Sequence, residues 1–366
     1  MNALGEKIAS LIAANGPISI AEFMTIALQD PELGYYTTRD PFGAGGDFIT
    51  APEVSQMFGE LLGLWIVQAW RDQGEPSPCR LVELGPGRGT LMTDALRAAR
   101  VDPKFLGSIE AVLIESSPML RKTQSETLKD YAVPMRWLDR FEESPGDRPL
   151  FLIANEFFDA LPIRQFVMTE RGWCERMVGL DKSGAPAFGL SPQATPLAGP
   201  SDRGLPDAGA IYEVSPAGEA LVEQMAHVIA AKGGAALIVD YGYGEGAGFG
   251  DTLQAVSRHK YASVLEAPGE ADLTAHVDFA ALARAAERSG ARAYGPVDQG
   301  EFLCALGIAE RAEQLAMAQT PGSRGLGEQP ELKRQLDRLI LSDQMGTLFK
   351  ALAIVPRDTR APDGFA

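Results

Sequence analysis

The stretch Leu81-Val82-Glu83-Leu84-Gly85-Pro86-Gly87-Arg88-Gly89-Thr90 decides the fold. An apolar run ends in three closely spaced glycines and passes directly into a segment with helical spacing. Strand, tight turn and helix, in that order, make the ligand-binding edge of a doubly wound α/β sheet. Glycine at Gly85, Gly87 and Gly89 lets the backbone turn sharply and lets a nucleoside lie against it. The spacing is GxGxG, not the GxGxxG of dinucleotide sites. Glu83 beside the turn would repel a pyrophosphate but suits a ligand carrying a sulfonium and an ammonium. The residues therefore favour S-adenosylmethionine over NAD, with a ligand-free glycine turn as the alternative.

Outward from this turn, Arg80–Leu84, Ile109–Ile114, Leu150–Ala154 and Ala235–Val239 are apolar without alternation, as strands buried on both faces should be. Helical stretches separate the first three, and Ser215-Pro216 opens a helix before the fourth. This alternation predicts a parallel, doubly wound sheet. Asp278 caps a helix running to Ser289-Gly290, and Pro296–Leu306 and Thr347–Val355 read as late strands. Residues 163–180 read as a hairpin turning at Arg171-Gly172, followed by a Pro/Gly-rich surface loop from Lys182 to Gly209. Residues 1–74 read as helical: Leu4, Ile8, Leu11 and Ile12 recur with helical spacing, and Ser19 with Glu22 suggests a capping box. A glycine-rich loop, Gly34 to Phe48, then leads into a long apolar helix from about Pro52 to Trp70.

Composition narrows the partners. The 366 residues carry 33 basic and 49 acidic side chains, a formal charge of −16. Such a surface repels phosphate backbones, so nucleic acid is excluded and a basic partner is attracted. Cys79, Cys174 and Cys304 lie far apart, and the three histidines lack metal-ligand spacing, so no metal centre is expected. No apolar run is long enough to span a membrane. Met1 to Ser10 carries Glu6 and Lys7 without a basic export signature, and a cytoplasmic setting is expected.

Two further acids belong to the ligand edge. Glu115 closes the next strand, Ala111–Glu115, where a carboxylate accepts both ribose hydroxyls; a solvated strand end is the other reading. Asp139 falls where a third strand ends and either faces the adenine edge or is an ordinary surface acid.

Three long motifs resemble those of the MidA-like methyltransferases: Gly46–Glu60 (GDFITAPEVSQMFGE), Glu83–Thr90, and Asn155-Glu156-Phe157-Phe158-Asp159-Ala160-Leu161-Pro162. The likeness continues through Ile238–Tyr243, Asp272–Phe279 and Gln299–Leu303, so it covers nearly the whole chain. It implies a class I, S-adenosylmethionine-dependent enzyme with a seven-stranded, mostly parallel Rossmann-like sheet. The expected organisation is an N-terminal helical cap over 1–74 and a methyltransferase domain over 75–366. That domain would carry an inserted hairpin and loop at about 161–214 and a helical insertion at about 307–346. The resemblance also implies protein arginine methylation, since a mitochondrial member of the family symmetrically dimethylates an arginine of the 49-kDa-type subunit of complex I. A non-catalytic complex I assembly factor and a small-molecule methyltransferase are the rival readings, and homo-oligomer formation stays open.

The residues support that chemistry independently. Asn155–Pro162 follows a strand and sits at the carboxyl edge of the sheet. A guanidinium is planar, always charged and rich in donors, so Glu156 and Asp159 can hold it with charge-assisted bonds. An acid-capped turn with core aromatics is the plainer reading. Phe157 and Phe158 would exclude water, and Asn155 would hold cofactor or backbone. His276 is a candidate substrate contact or proton acceptor, with a structural role equally compatible. Asp47, Glu53 and Glu60 fit substrate contacts or solvated acids alike, and Trp65 and Trp70 read as core.

Overall fold

The computed structural model describes residues 1–38, 50–196, 206–244, 249–257, 260–319 and 325–365. Asp47 and most of the glycine-rich loop lie outside the described residues, as do His259 and residues 197–205.

Seven strands form the central sheet: β1 (Cys79–Leu84), β2 (Ile109–Ile114), β3 (Met135–Leu138), β4 (Leu150–Asn155), β5 (Gly234–Tyr243), β6 (Ala291–Asp298) and β7 (Phe349–Pro356). Their order is β6-β7-β5-β4-β1-β2-β3. The pairs from β5 to β3 are parallel, and β7 runs antiparallel to both β5 and β6. An eighth strand of two residues, Val277–Asp278, adds in parallel to the end of β5. Every residue of β1 and β4 is buried, which is why neither shows polar alternation. Leu81, Phe151, Ile153 and Leu237 face a layer that includes α3 (Gln56–Asp72) and α4 (Thr90–Ala98). Val82, Leu152 and Ile238 face α6 (Pro216–Lys232) and α7 (Phe279–Arg288) on the other side. Helix α5 (Pro118–Leu128) links β2 to β3.

The packing divides residues 1–74. Helices α1 (Ala3–Asn15) and α2 (Ile20–Gln29) build a third core with Ile163, Val178 and Leu273. They join an inserted five-stranded sheet directly, because Ile18 and Ser19 pair with Val178 and Met177. Helix α3 instead buries Trp65 and Trp70 against the central sheet, with each indole N–H donating to a backbone carbonyl. The capping box of Ser19 and Glu22 is present.

Three expectations need correction. Of Pro296–Leu306, only the start is strand: β6 ends at Asp298, and Gln299–Ala305 is a helix that buries Phe302 and Leu303. A short apolar run does not distinguish the two forms by itself. The loop from Lys182 to Gly209 contains a strand, Pro186–Ala194, paired with Gly172–Leu180. It is an edge strand, where proline is tolerated because its missing N–H costs no ladder bond. The long helix from Pro52 breaks at Ser55, which is extended and caps α3 through its hydroxyl.

Glu60 is neither a solvated acid nor a substrate contact. It is 5% exposed and accepts from Arg97 of α4 at 2.9 Å and from Arg311 of α8 (Ile308–Gln319) at 2.8 Å. Burial pushes its pKa up, but the two guanidinium groups pull it below the usual range. One carboxylate thus ties three helices together. Glu60→Gln should destabilise the protein by about 2 kcal/mol or more, since it removes the carboxylate that Arg311 pairs with and leaves Arg97 with Asp94 alone among the described residues. Thermal unfolding followed by circular dichroism checks this, and an unchanged midpoint would mean the cluster contributes little.

Candidate active site

The turn after β1 requires glycine: φ is +60° at Gly85, +53° at Gly87 and +84° at Gly89. A Cβ on Gly85 would lie 2.8 Å from the ring of Phe157, so the turn also needs glycine to pack beneath that aromatic. Gln124 of α5, fully buried, donates to the carbonyl of Gly87 at 2.8 Å and to Glu115 at 3.2 Å, and accepts from Trp137 at 2.9 Å. It fastens the turn to the ends of β2 and β3. No sequence signal marked this glutamine, because a buried amide in a helix has no motif.

Glu83, Gly85, Gly87, Asn155 and Glu156 line one cleft together with Glu53 and Thr90. Glu83 is 3% exposed, and burial pushes its carboxyl up to about 8. Its Oε2 and the Oδ1 of Asn155 are buried without a hydrogen-bond partner among the described residues. Buried polar groups are rarely left so, and two in one cleft mark a place for a polar ligand. Thr90 donates to Glu53 at 2.6 Å, so Glu53 belongs to the cleft wall.

Glu115 stands beside Gly85, whose N–H donates to Ile114 at the end of β2. Its oxygens accept from the Ser117 N–H at 2.8 Å and from Gln124, and burial raises its pKa. Asp139 is 61% exposed and pairs with Arg121, which also donates to the Glu115 carbonyl. It is not part of the cleft wall.

At the end of β4 the backbone of Glu156 is left-handed, φ +50°, which costs a non-glycine residue on the order of 1 kcal/mol. Its Oε1 accepts from the Ala51 N–H at 2.9 Å and from Asn155 at 3.1 Å. Burial, with the neighbouring charge of Asp159, pushes Glu156 up to about 7. Asp159 is also buried, and burial raises it while the Tyr241 hydroxyl donates to it. Its Oδ1 has no hydrogen-bond partner among the described residues. His276 lies apart from the glycine cleft. It lines a second cleft with Phe158 and Tyr243, and its ring meets the ring of Tyr241 edge-on at 5.5 Å. Burial lowers its pKa. Gly85, Gly87, Glu83, Asn155 and Glu156 are therefore brought together, Gly89 turns toward α5, Glu115 and Asp159 flank the cleft, and Asp139 and His276 stand outside.

Residues 61–297 match the profile of a family described as S-adenosyl-L-methionine-dependent methyltransferases. This chain belongs to that family. The methyltransferase is 40% identical over 373 residues to the protein arginine methyltransferase NDUFAF7 of Danio rerio, spanning 96% of this chain and 86% of the relative. It is 37% identical to the Homo sapiens protein of that name, spanning 94% and 81%. A Burkholderia thailandensis protein solved with S-adenosyl-homocysteine bound superposes with a TM-score of 0.84 at 29% identity, spanning 100% of this chain and 94% of that one. The expected class I fold and the S-adenosylmethionine cofactor both hold.

The residues fit that cofactor. The glycine turn takes left-handed backbone at three positions that side chains disfavour, and Glu83 and Asn155 offer polar atoms without a partner among the described residues. Glu83 holds a proton at neutral pH because burial raises its folded pKa above its unfolded value. The resulting stabilisation is present at low pH and fades as pH rises through about 8. A cationic group arriving beside it displaces that proton. Cofactor affinity should therefore rise between about pH 6 and pH 8, with proton release visible as buffer-dependent heat in calorimetry. Glu83→Gln should flatten the pH dependence and weaken binding by about tenfold or more. A variant that binds as the parent does would remove Glu83 from the cofactor site.

Proposed function

We propose that this methyltransferase transfers methyl groups to an arginine of a protein, and that the 49-kDa-type subunit of respiratory complex I is its substrate. The observation that carries the reading is the buried pair Glu156 and Asp159 beside the cofactor cleft, with the Oδ1 of Asp159 lacking a hydrogen-bond partner among the described residues. Burying carboxylates without a matched cation is costly, and a guanidinium supplies both charge and donors. The names of the 37–40% identical relatives point the same way.

Bound S-adenosylmethionine supplies an electrophilic methyl group on a sulfonium. The protein's part is alignment and proton removal. Asp159, held by Tyr241, and Glu156, held by the Ala51 N–H and Asn155, grip the guanidinium and fix which nitrogen faces the cleft. Phe157 covers the glycine turn and keeps water from the reacting atoms. Glu156, poised near neutrality, accepts the proton that the nitrogen loses as it gains the methyl group. A cytoplasmic setting is part of this proposal, although the relatives carry the word mitochondrial in their names; fractionation of cells expressing the tagged full chain checks it.

The enzyme should transfer an isotope-labelled methyl group from S-adenosylmethionine to arginine in lysates of cells lacking this gene. Mass spectrometry locates the acceptor. A label on lysine or on small molecules alone would sink the proposal. Turnover should rise with pH through about 7, because the clamp needs Glu156 ionised. Glu156→Gln should abolish that limb and slow transfer about a hundredfold, a loss of about 3 kcal/mol, while cofactor binding persists. Full turnover by this variant would exclude the clamp.

A further inference from the structure

We propose that Asp240 is a positioning residue for the methyl-acceptor site: its carboxylate, on β5 one residue past the last pair with β4, holds the turn that presents Glu156 and Asp159. The inference rests on the arginine clamp proposed above. Asp240 is fully buried, and its Oδ2 accepts three successive backbone N–H groups, from Phe157 at 3.1 Å, Phe158 at 2.9 Å and Asp159 at 3.2 Å. Its Oδ1 accepts the N–H of Tyr241 at 2.9 Å. Three consecutive amides converging on one oxygen form the concave nest that backbones usually offer to a bound anion. Here the acceptor is a side chain of the same protein.

The entry to the turn is anchored on the same strand. The N–H of Glu156 donates to the carbonyl of Val239, the residue before Asp240, at 2.9 Å. Between these anchors Glu156 adopts its left-handed backbone, a conformation that persists only where surroundings over-determine it. The direction of the Glu156 side chain is thus set by β5 rather than by the strand that carries it. Asp240 also brings Tyr241 into place, whose hydroxyl reaches Asp159. An asparagine has one acceptor oxygen. It can serve the three turn amides or the Tyr241 N–H, and its NH2 must then face a donor.

The test measures cofactor affinity by calorimetry and kcat with the arginine acceptor found by labelling, in the full-length Asp240→Asn, Glu156→Gln and double variants. Asp240→Asn should lower kcat about tenfold or more while S-adenosylmethionine affinity stays within about threefold. In the Glu156→Gln background, Asp240→Asn should cost less than about a further twofold, since both changes disable one device. Losses that multiply, or a parental kcat in Asp240→Asn, would overturn the inference. If Glu156→Gln itself turns over fully, the arginine clamp fails instead, and the two failures are distinguishable. Should Asp240→Asn not fold, hydrogen exchange in the unaltered protein decides. The amides of Phe157, Phe158 and Asp159 should be protected as strongly as those of β5, and rapid exchange there would overturn the proposal.

Discussion

The parallel pairing of β1 with β4 is the constraint on which the rest depends. Leu84 lies opposite Ala154, so both strands end on the same edge and their turns emerge side by side. Crossovers to β2 and β3 go one way and those to β5 the other, and the gap opened at this reversal is where open α/β sheets bind ligands. The glycine turn after β1 and the Glu156 turn after β4 are its two walls. Phe157 bridges them, and it can do so only because Gly85 has no side chain.

Electrostatics separates structural acids from chemical ones. Glu60 is as deeply buried as Asp159, yet two arginines hold it ionised and it serves to join helices. Glu83, Glu156 and Asp159 are buried and raised instead, and each lies at or beside the cleft. A buried carboxyl kept from its ordinary pKa is expensive to fold around, and such groups concentrate where a ligand completes them. Asp240 is a third case. Burial and the neighbouring charges of Asp159 and Glu156 push it well above the usual carboxylate range too, but backbone amides satisfy its oxygens and its part is to hold geometry.

The N-terminal helices illustrate how remote sequence meets at the site. Ile18 and Ser19 add a strand to the inserted sheet, and Tyr36, just beyond α2, donates to Asp272 at 2.8 Å. Elements from three parts of the chain thus form the layer behind the acid turn. Pairings of such high sequence separation leave no local pattern, so the helices alone read as a cap.

The glycine turn, Glu83 and the unalternating strands were legible because they are local: a tight turn needs glycine, and a strand buried on both faces needs apolar side chains throughout. The acid pair was legible as a motif at a strand end. The strand Pro186–Ala194 was hidden by its prolines, since an edge position tolerates what a central strand forbids. The helix Gln299–Ala305 was hidden because four apolar residues fit either period. What tertiary structure alone decided was partnership. Arg97 and Arg311 converge on Glu60, Gln124 on Gly87 and Glu115, and Asp240 on three amides of another strand's turn. Hydrogen bonds and charge pairs act over a few ångströms of space, and which residues share those ångströms is settled by how the strands and helices pack.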